Sequence, residues 1–191
     1  MNFNGRSKVS GAFFSSGINP ALTREQRFVK RSLDIVVSLI CMIVFAPLVV
    51  IAAIAIKVED QGCIFYRSLR VGQNGKLFYM FKLRSMSHFA DQASTNCAPD
   101  NTHKMRDDKR VTRIGLFLRR SSIDEIPQFW NVLMGDMSIV GPRPELPSIV
   151  SQYKSWQFDR FSVPQGITGW WQVTGRSDCL LYTSPSPRDR G

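Results

Sequence analysis

The longest apolar segment of the chain reads IVVSLICMIVFAPLVVIAAIAI and runs from Ile35 to Ile56. As one helix it would reach about 33 Å, which is enough to cross the hydrocarbon core of a bilayer. Pro47 divides the segment, however, and a proline inside a helix removes a hydrogen bond and favours a sharp bend. Because each half alone is too short to cross, the segment predicts either a re-entrant helix that bends at Pro47 or a kinked single crossing.

The flanks of the apolar segment are basic on both sides. They carry Arg24, Arg27, Lys30 and Arg31 before the segment, and Lys57, Arg67, Arg70 and Lys76 after it. Positive residues favour the cytoplasmic side of a membrane, so both flanks favour the same side. A re-entrant helix satisfies both flanks and a single-pass anchor satisfies the length, so these residues alone leave the two alternatives open. A cleaved signal peptide fits poorly, because the apolar part is longer than such leaders carry.

The net charge narrows the class of partner. A formal net charge of +10 and a pI of about 9.9 favour an anionic partner, such as phospholipid headgroups, a nucleotide diphosphate or nucleic acid. Nucleic acid is the least favoured of the three, since no reading motif accompanies the charge. The chain has neither a G-x-x-x-x-G-K-[ST] loop nor a dinucleotide fingerprint. Phosphate would therefore be held by arginines and helix ends.

Two adjacent carboxylates, Asp124 and Glu125, lie in SSIDEIPQ, residues 121–128. Side chains adjacent on a helix diverge by about 100°, so one carboxylate could attack a phosphorus atom while the other holds a metal ion or a proton. The structural alternative is that Ser122 and Glu125 form a capping box that only starts a helix. These residues by themselves leave both interpretations open.

A short helix is predicted to follow the carboxylates. Apolar residues recur at helical spacing from Ile126 onward, and Gly135 can cap the end of the helix. Pro127 is tolerated only in a first turn, which favours a cap at Ile123 or Asp124. This prediction places Asp124 at the positive end of the helix dipole, where an ionised carboxylate and bound anions are stabilised.

A β-hairpin is predicted between the apolar segment and the carboxylates. Its strands are Cys63–Arg67 and Phe78–Arg84, separated by QNGK at 73–76, in which Asn-Gly is a strong hairpin signal. Lys82 and Arg84 fall on one face of the second strand. There they would either meet phosphate or form an ordinary solvated basic face.

Arginines near the carboxylates are further candidates for phosphate binding. Thr112 can cap a helix that ends near Arg119 and Arg120 and directs cations toward Asp124. Arg119 would serve equally well as a favourable charge at the C-terminal end of that helix. Arg143 lies between two prolines, which restrict its backbone, so it would lose little freedom on binding an anion.

These motifs together resemble the bacterial sugar transferases, the small monotopic phosphoglycosyl transferases that start glycan assembly on a polyprenyl phosphate carrier. The resemblance runs from about Phe28 to Asp178. Its motifs are, in chain order, KRSLD (30–34), RVGQNGK (70–76), FKLRSM (81–86), DKRVTRIG (108–115), DEIPQ (124–128), VGPRP (140–144) and PQGITGW (164–170). Because so many blocks occur in order, the resemblance is specific.

The resemblance implies an α+β, mostly helical fold. A re-entrant membrane helix at 28–58, bent at Pro47, would precede a small cytoplasmic catalytic domain at 59–178 with a short β-hairpin. Both ends of the helix would lie on the cytoplasmic face of the bacterial inner membrane. Residues 1–27 are predicted to form a disordered basic tail, and residues 179–191 a low-complexity tail outside the family pattern.

The resemblance also implies a two-step reaction that uses Mg²⁺. Asp124 would attack the β-phosphate of a UDP-sugar and release UMP, and polyprenyl phosphate would then take the sugar phosphate from the enzyme. Glu125 would complete the dyad, and both carboxylates would be metal ligands. The implied phosphate ligands are Arg119, Arg143 and Arg176, to which the basic strand adds Lys82 and Arg84.

The implied partners are a UDP-sugar, polyprenyl phosphate and an anionic phospholipid membrane. A homodimer is compatible with this set, and nucleic acid is not expected. The chain departs from the family at Ala46, where many members have serine before the proline. It also departs after Asp178, which suggests a truncated chain. The alternative function is therefore a catalytically inactive fragment that acts as a basic membrane-bound interaction module.

Overall fold

The structure is a computed structural model that describes residues 23–60, 62–87 and 110–169. Its elements are, in chain order, α1 (Arg24–Glu59), β1 (Phe65–Val71), β2 (Leu77–Leu83), α2 (Arg113–Ser121), α3 (Gln128–Met134), β3 (Ser138–Val140), α4 (Pro147–Val150) and β4 (Gly166–Thr168). This mixture of helices and short strands confirms the predicted α+β class. Residues 1–22 of the predicted N-terminal tail, the predicted C-terminal tail and Arg176 lie outside the described residues.

Helix α1 begins at Arg24, before the predicted start of the membrane helix. The side chain of Thr23 accepts a hydrogen bond from the amide of Gln26 at 3.3 Å, and the Gln26 side chain accepts one from the amide of Thr23 at 3.0 Å. This capping box marks a helix start. Residues 24–27, assigned to the tail from its average composition, therefore belong to the helix. The helix continues through Pro47.

Most of the apolar surface of α1 is exposed. Among the described residues, α1 is the one helix long and apolar enough to cross a membrane, and only 11% of its most apolar window is buried. The core helix of a soluble domain would bury most of such a surface, and large exposed apolar patches mark interaction sites. The exposed surface of α1 therefore indicates a membrane protein.

The predicted hairpin is confirmed. Strands β1 and β2 pair antiparallel, in register from Phe65 opposite Leu83 up to the turn. Asn74 and Gly75 close the turn with φ values of 53° and 72°. Asn and Gly tolerate this left-handed region, which explains why the Asn-Gly signal is reliable here. Strand β1 extends further toward the turn than predicted, because β2 offers it pairing partners there.

Helix α2 forms as predicted. Thr112 caps it, and its side chain accepts a hydrogen bond from the amide of Gly115 at 2.9 Å. The helix ends at Ser121, close to the predicted end, and its last turn carries Arg119 and Arg120.

The carboxylate segment between α2 and α3 differs from the prediction. Ser122 takes a left-handed backbone with φ of 60°, and a 3₁₀ turn, Ile123–Glu125, follows it. Helix α3 begins only after Pro127, so the predicted cap at Ile123 or Asp124 is wrong, and Ser122 makes no capping-box bond either. The left-handed residue ends α2 and leads the chain into a tighter turn before a new helix starts. Gly135, with φ of 82°, ends α3 as predicted.

In the described part of the chain, three apolar clusters hold the elements together. Their buried members are Ala52, Ile56, Leu83 and Leu118 in the first, Phe78, Met80, Val132 and Met137 in the second, and Val71, Val150 and Phe161 in the third. Ala52 and Ile56 belong to α1. The C-terminal half of the apolar helix is therefore part of the core of the domain, so that helix and domain pack as one unit.

Strands β3 and β4 pair in parallel next to a close approach of two backbones. A Cβ on Gly141 would lie 2.3 Å from the carbonyl oxygen of Pro164, and one on Gly166 would lie 2.1 Å from the amide nitrogen of Gly141. Neither position has room for a side chain. Gly141 begins the loop that carries Arg143, residues 141–144, which we call the arginine loop. The close packing of Gly141 therefore fixes where this loop begins.

Candidate active site

Glu125 lies at the centre of an ion-pair cluster. Arg143 donates to both of its oxygens, from Nη2 to Oε1 at 2.5 Å and from Nη1 to Oε2 at 3.2 Å. Lys82 Nζ also donates to Oε1, at 3.1 Å. The Glu125 side chain is only 15% exposed. Such a forked, charge-assisted pair fixes both cations beside the carboxylate.

The cluster shifts the pKa of each of its members. Burial raises the pKa of Glu125, but the hydrogen bonds and charges of Arg143 and Lys82 outweigh burial and hold that pKa at about 2. Burial lowers the pKa of Lys82 despite the attraction of Glu125. Burial also acts to lower the pKa of Arg143, but the bond to Glu125 raises it above its ordinary value. Glu125 and Arg143 are therefore both ionised at neutral pH.

Asp124 precedes Glu125 in the 3₁₀ turn and is only 7% exposed. Its charge acts on the pKa of Lys82 and on that of Arg143, in each case upward, so Asp124 lies within electrostatic reach of the same cations. With about three residues per turn, adjacent side chains of a 3₁₀ turn point in different directions. Asp124 and Glu125 can therefore take different roles, as expected from the sequence for a helix.

Helix α1 bonds to the start of α2 and to the end of α3, the two helices that flank Asp124 and Glu125. The carboxylate of Glu59 accepts hydrogen bonds from the first two amides of α2, at 2.8 and 3.1 Å. Arg31 donates to the carbonyls of Val132 and Leu133 in the last turn of α3, at 2.6 and 2.8 Å. An anion at a helix N-terminus and a cation at a C-terminus satisfy free backbone groups and complement the helix dipole. The position of the carboxylates thus depends on α1.

A second contact of α1 lies just before the arginine loop. Asp34 is buried and accepts hydrogen bonds from Ser138 Oγ at 2.8 Å and from the amide of Ile139 at 3.1 Å. Lys30 bonds Asp34 at 3.2 Å and also Ser138. Lys30 and Asp34 belong to the KRSLD motif, to which the sequence alone gives no role. The sequence does show a carboxylate, Asp34, next to the apolar segment. A carboxylate that becomes buried there needs a bonding partner, which is the signal for this contact.

Arg84 is not brought to the cluster, although it was predicted to share a strand face with Lys82. Strand β2 ends at Leu83, so the alternation of side chains stops before Arg84. Arg84 is 4% exposed and donates to the carboxylate of Asp60 at 3.2 Å and to its carbonyl at 3.0 Å. The structure therefore gives Arg84 the structural role of joining the end of α1 to the hairpin.

Arg119, which was also predicted to bind phosphate, bonds to a residue outside the ion-pair cluster. Arg119 Nε donates to Ser85 Oγ at 2.8 Å, which joins α2 to the segment after β2. Its role as a phosphate ligand stays a prediction. Asp136 pairs with Lys76 at 3.0 Å.

The carboxylate pair fits the donor set of a Mg²⁺ ion. Such sites commonly take one or two carboxylates, with phosphate oxygens and waters in the other positions. Glu125 accepts hydrogen bonds from Lys82 and Arg143 at three of the roughly four positions that a carboxylate offers. These three bonds leave one of those positions on Glu125. Among the described residues, no group of three His, Cys, Asp or Glu side chains could hold a metal ion.

An exposed apolar helix packed on a small domain is the arrangement of a membrane protein. The chain belongs to the bacterial sugar transferase family, whose model matches residues 25–185. The match begins before and ends after the predicted limits of 28 and 178. Residues 179–185, which were predicted to lie outside the family pattern, are therefore part of the match.

Several curated proteins are similar to this chain. The exopolysaccharide production protein ExoY of Sinorhizobium fredii is 37% identical over 163 residues, which cover 81% of this chain and 72% of ExoY. The undecaprenyl-phosphate galactose phosphotransferase of Salmonella typhimurium is 37% identical over 169 residues, which cover 84% of this chain and 35% of that protein. The UDP-glucose:undecaprenyl-phosphate glucose-1-phosphate transferase of Escherichia coli is 39% identical over 163 residues, with 84% and 32% covered. The chain thus spans about a third of the length of the two longer relatives.

Proposed function

We propose that this chain transfers a sugar phosphate from a UDP-sugar to a membrane polyprenyl phosphate, which starts polysaccharide or glycoconjugate assembly. The observation that carries the proposal is the pair of the buried Asp124 and the partly buried Glu125, with Lys82 and Arg143 beside Glu125. In a bacterial sugar transferase, such cations suit the diphosphate of a nucleotide sugar. The names of the Salmonella and Escherichia relatives support the same activity.

Asp124 is the proposed nucleophile. In the first step, a carboxylate oxygen of Asp124 bonds to the β-phosphorus of the UDP-sugar. The bond from that phosphorus to the bridging oxygen breaks, and UMP leaves with that oxygen. In the second step, an oxygen of polyprenyl phosphate bonds to the same phosphorus, and the carboxylate of Asp124 leaves. The product is a polyprenyl diphosphate sugar, and the two steps let donor and lipid react in turn.

The ion pairs of Glu125 support a different role for the second carboxylate. Both of its oxygens accept hydrogen bonds from cations, and a pKa of about 2 marks a weakly basic and hence weakly nucleophilic group. Glu125 would instead hold Arg143 and Lys82 in place before substrate arrives. Their charges would then meet the phosphates with little reorganisation.

Mg²⁺ is the proposed cofactor, with Asp124 and Glu125 as its protein ligands. When bound, the ion would shield the negative charge of the phosphates. Lys82 and Arg143 would supply the remaining positive charge, and the low exposure of the pair would limit access of water to the reacting phosphorus.

The contacts of α1 support a re-entrant arrangement in the membrane. Arg31 and Asp34 near its start, and Ile56 and Glu59 near its end, all contact the same small domain. In a transmembrane helix, the two ends would be separated by a hydrocarbon core of about 30 Å, and a domain on one side would not reach both. We therefore place both ends on one face, with the bend at Pro47. The basic flanks favour the cytoplasmic face of the bacterial inner membrane.

The activity is tested with the purified chain in detergent micelles, using UDP-galactose and UDP-glucose, undecaprenyl phosphate and Mg²⁺. We expect release of UMP and formation of a lipid-linked sugar phosphate. Asp124→Asn should abolish both, whereas Asp159→Asn, at an exposed carboxylate, should abolish neither. A parent chain that binds anionic lipid but releases no UMP from any of several UDP-sugars would instead support the inactive membrane-bound module.

A further inference from the structure

The arginine loop has few backbone donors of its own. Arg143 lies between Pro142 and Pro144, and proline has no N–H group. The start of the loop is held by β4, because the carbonyl of Pro142 accepts a hydrogen bond from the amide of Gly166 at 2.8 Å. The carbonyl of Arg143 itself is held by a side chain from a later part of the chain.

That side chain is Arg160. Its Nη2 donates to the carbonyl oxygen of Arg143 at 2.9 Å. Its Nη1 lies 3.6 Å from Oε1 of Glu145, the residue that follows the loop. A guanidinium offers five donors in one rigid plane, so it can bond several partners at fixed angles. Arg160 therefore joins the backbone at Arg143 to the carboxylate of Glu145.

Arg160 is in turn fixed to the core of the domain. Its Nη1 donates to the hydroxyl of Tyr153 at 2.8 Å, and its guanidinium lies 5.9 Å from the centroids of the Tyr153 and Phe161 rings. A cation over aromatic faces is stabilised by their electrons. The buried Gln165 donates to the carbonyl of Arg160 at 3.0 Å. Both the side chain and the backbone of Arg160 are therefore held in place.

Glu145 is a second carboxylate near Arg143. Burial acts to lower the pKa of Arg143, and the charges of Glu125 and Glu145 both act to raise it, so Glu145 lies within electrostatic reach of that guanidinium. A carboxylate without a partner would compete with Glu125 for the same cation. The ion pair with Arg160 gives Glu145 another partner, which leaves Arg143 to Glu125.

We propose that Arg160 is a positioning residue for Arg143, which it places on Glu125 by holding the arginine loop and by pairing with Glu145. The inference rests on the proposed function, in which Arg143 meets the phosphates of the UDP-sugar. In this role Arg160 affects both the ion-pair cluster and the reaction through Arg143. Loss of Arg160 should therefore weaken the link between Arg143 and Glu125, and it should matter little where Arg143 is already missing.

A double-mutant cycle in unfolding tests this role without requiring turnover. The parent, Glu125→Gln, Arg160→Met and the double variant are unfolded with urea in micelles at pH 6. We expect Glu125→Gln to lower the urea midpoint of the parent, and to lower that of Arg160→Met by about half as much or less. Arg120→Met, at an exposed position, is the matched control and should leave the full effect of Glu125→Gln. Equal midpoint shifts in the parent and in Arg160→Met would overturn the proposal.

Kinetics of UMP release separate positioning from a general structural role. Arg160→Met should lower kcat/KM about tenfold in the parent, and less than about twofold in an Arg143→Met background. Glu145→Gln should restore part of the activity that Arg160→Met loses, because it removes the competing carboxylate. Equal losses in both backgrounds, without rescue by Glu145→Gln, would mean that Arg160 only supports the fold.

If Arg160→Met does not fold, Arg160→Lys carries both tests, since it keeps the charge but loses the planar set of donors. Absence of UMP release by the parent would count against the proposed function. The unfolding cycle would still decide whether Arg160 positions Arg143 on Glu125.

Discussion

Arg31 and Glu59 lie near opposite ends of α1 and bond opposite ends of the segment that carries Asp124 and Glu125. Arg31 donates to carbonyls in the last turn of α3, and Glu59 accepts from the first amides of α2. Asp124 and Glu125 lie in the turn between α2 and α3. The membrane helix therefore sets the separation of the two helices that flank the carboxylates.

The first prediction concerns this link. Glu59→Ala removes a carboxylate that satisfies two amides at the start of α2, and the loss of such a cap costs about 1 kcal/mol. We expect a lower Tm in micelles and slower UMP release. Val58→Ala, at the adjacent position that is 82% exposed, is the control and should change neither. A Glu59→Ala protein with parental Tm and rate would show that the link is dispensable.

The second prediction concerns the pH dependence of stability. The pKa of Glu125 is about 2 in the folded protein, below its ordinary value of 4.5. Glu125 therefore stabilises the fold fully above about pH 4.5, and this contribution, about 3 kcal/mol, is lost as the pH falls toward 2. For Glu125→Gln we expect an unfolding free energy that is lower at pH 6 and that approaches the parental value near pH 2.

Denaturant unfolding followed by tryptophan fluorescence in micelles, from pH 2.5 to 6, measures this convergence. Glu145→Gln is a suitable control, because that carboxylate makes a longer ion pair of 3.6 Å with Arg160. Parallel curves for the parent and Glu125→Gln would mean that the ion pairs of Glu125 do not stabilise the fold.

The third prediction concerns the fork between Arg143 and Glu125. Arg143→Lys keeps the charge but cannot donate to both carboxylate oxygens from one planar group. A hydrogen bond to a charged group is worth about 1.5 to 3 kcal/mol, so kcat/KM for UMP release should fall about 10- to 100-fold. Arg120→Lys, at an exposed position, should retain parental activity. Parental activity in Arg143→Lys would exclude a role for the fork.

The fourth prediction concerns membrane topology. Single cysteines at Arg24, before the apolar segment, and at the exposed Lys154, in the domain, are introduced into a chain that lacks the native cysteines. In inside-out membrane vesicles, where the cytoplasmic face is outside, an impermeant thiol reagent should label both positions. Labelling of one position in inside-out vesicles and of the other in right-side-out vesicles would establish a single crossing and contradict the re-entrant arrangement.

The hairpin and α2 could be predicted because their signals are local. Asn74 and Gly75 adopt the positive φ values of the turn, and Thr112 caps the helix that it precedes. The start of α3 could not be predicted in this way. It depends on the left-handed backbone of Ser122, which is a residue type that rarely adopts this conformation.

The sequence pattern also could not predict which partners the charged residues bind. Lys82 and Arg84 are two residues apart, a spacing that predicts one face of a strand. In the structure, however, Lys82 pairs with Glu125 and Arg84 pairs with Asp60. Asp34 bonds a serine that follows it by more than a hundred residues. Such contacts are set by tertiary packing rather than by local propensity. The family motifs therefore identified Arg143 and the carboxylate pair, but not the bonds from α1 that position them.

Mass spectrometry can detect the proposed covalent bond between Asp124 and the sugar phosphate. The chain is mixed with a UDP-sugar and Mg²⁺ without lipid acceptor, quenched in acid and digested. We expect a mass increase equal to one sugar phosphate on the peptide that contains Asp124, and its loss on later addition of undecaprenyl phosphate. UMP release at the parental rate by Asp124→Asn, or an adduct on Glu125, would contradict it.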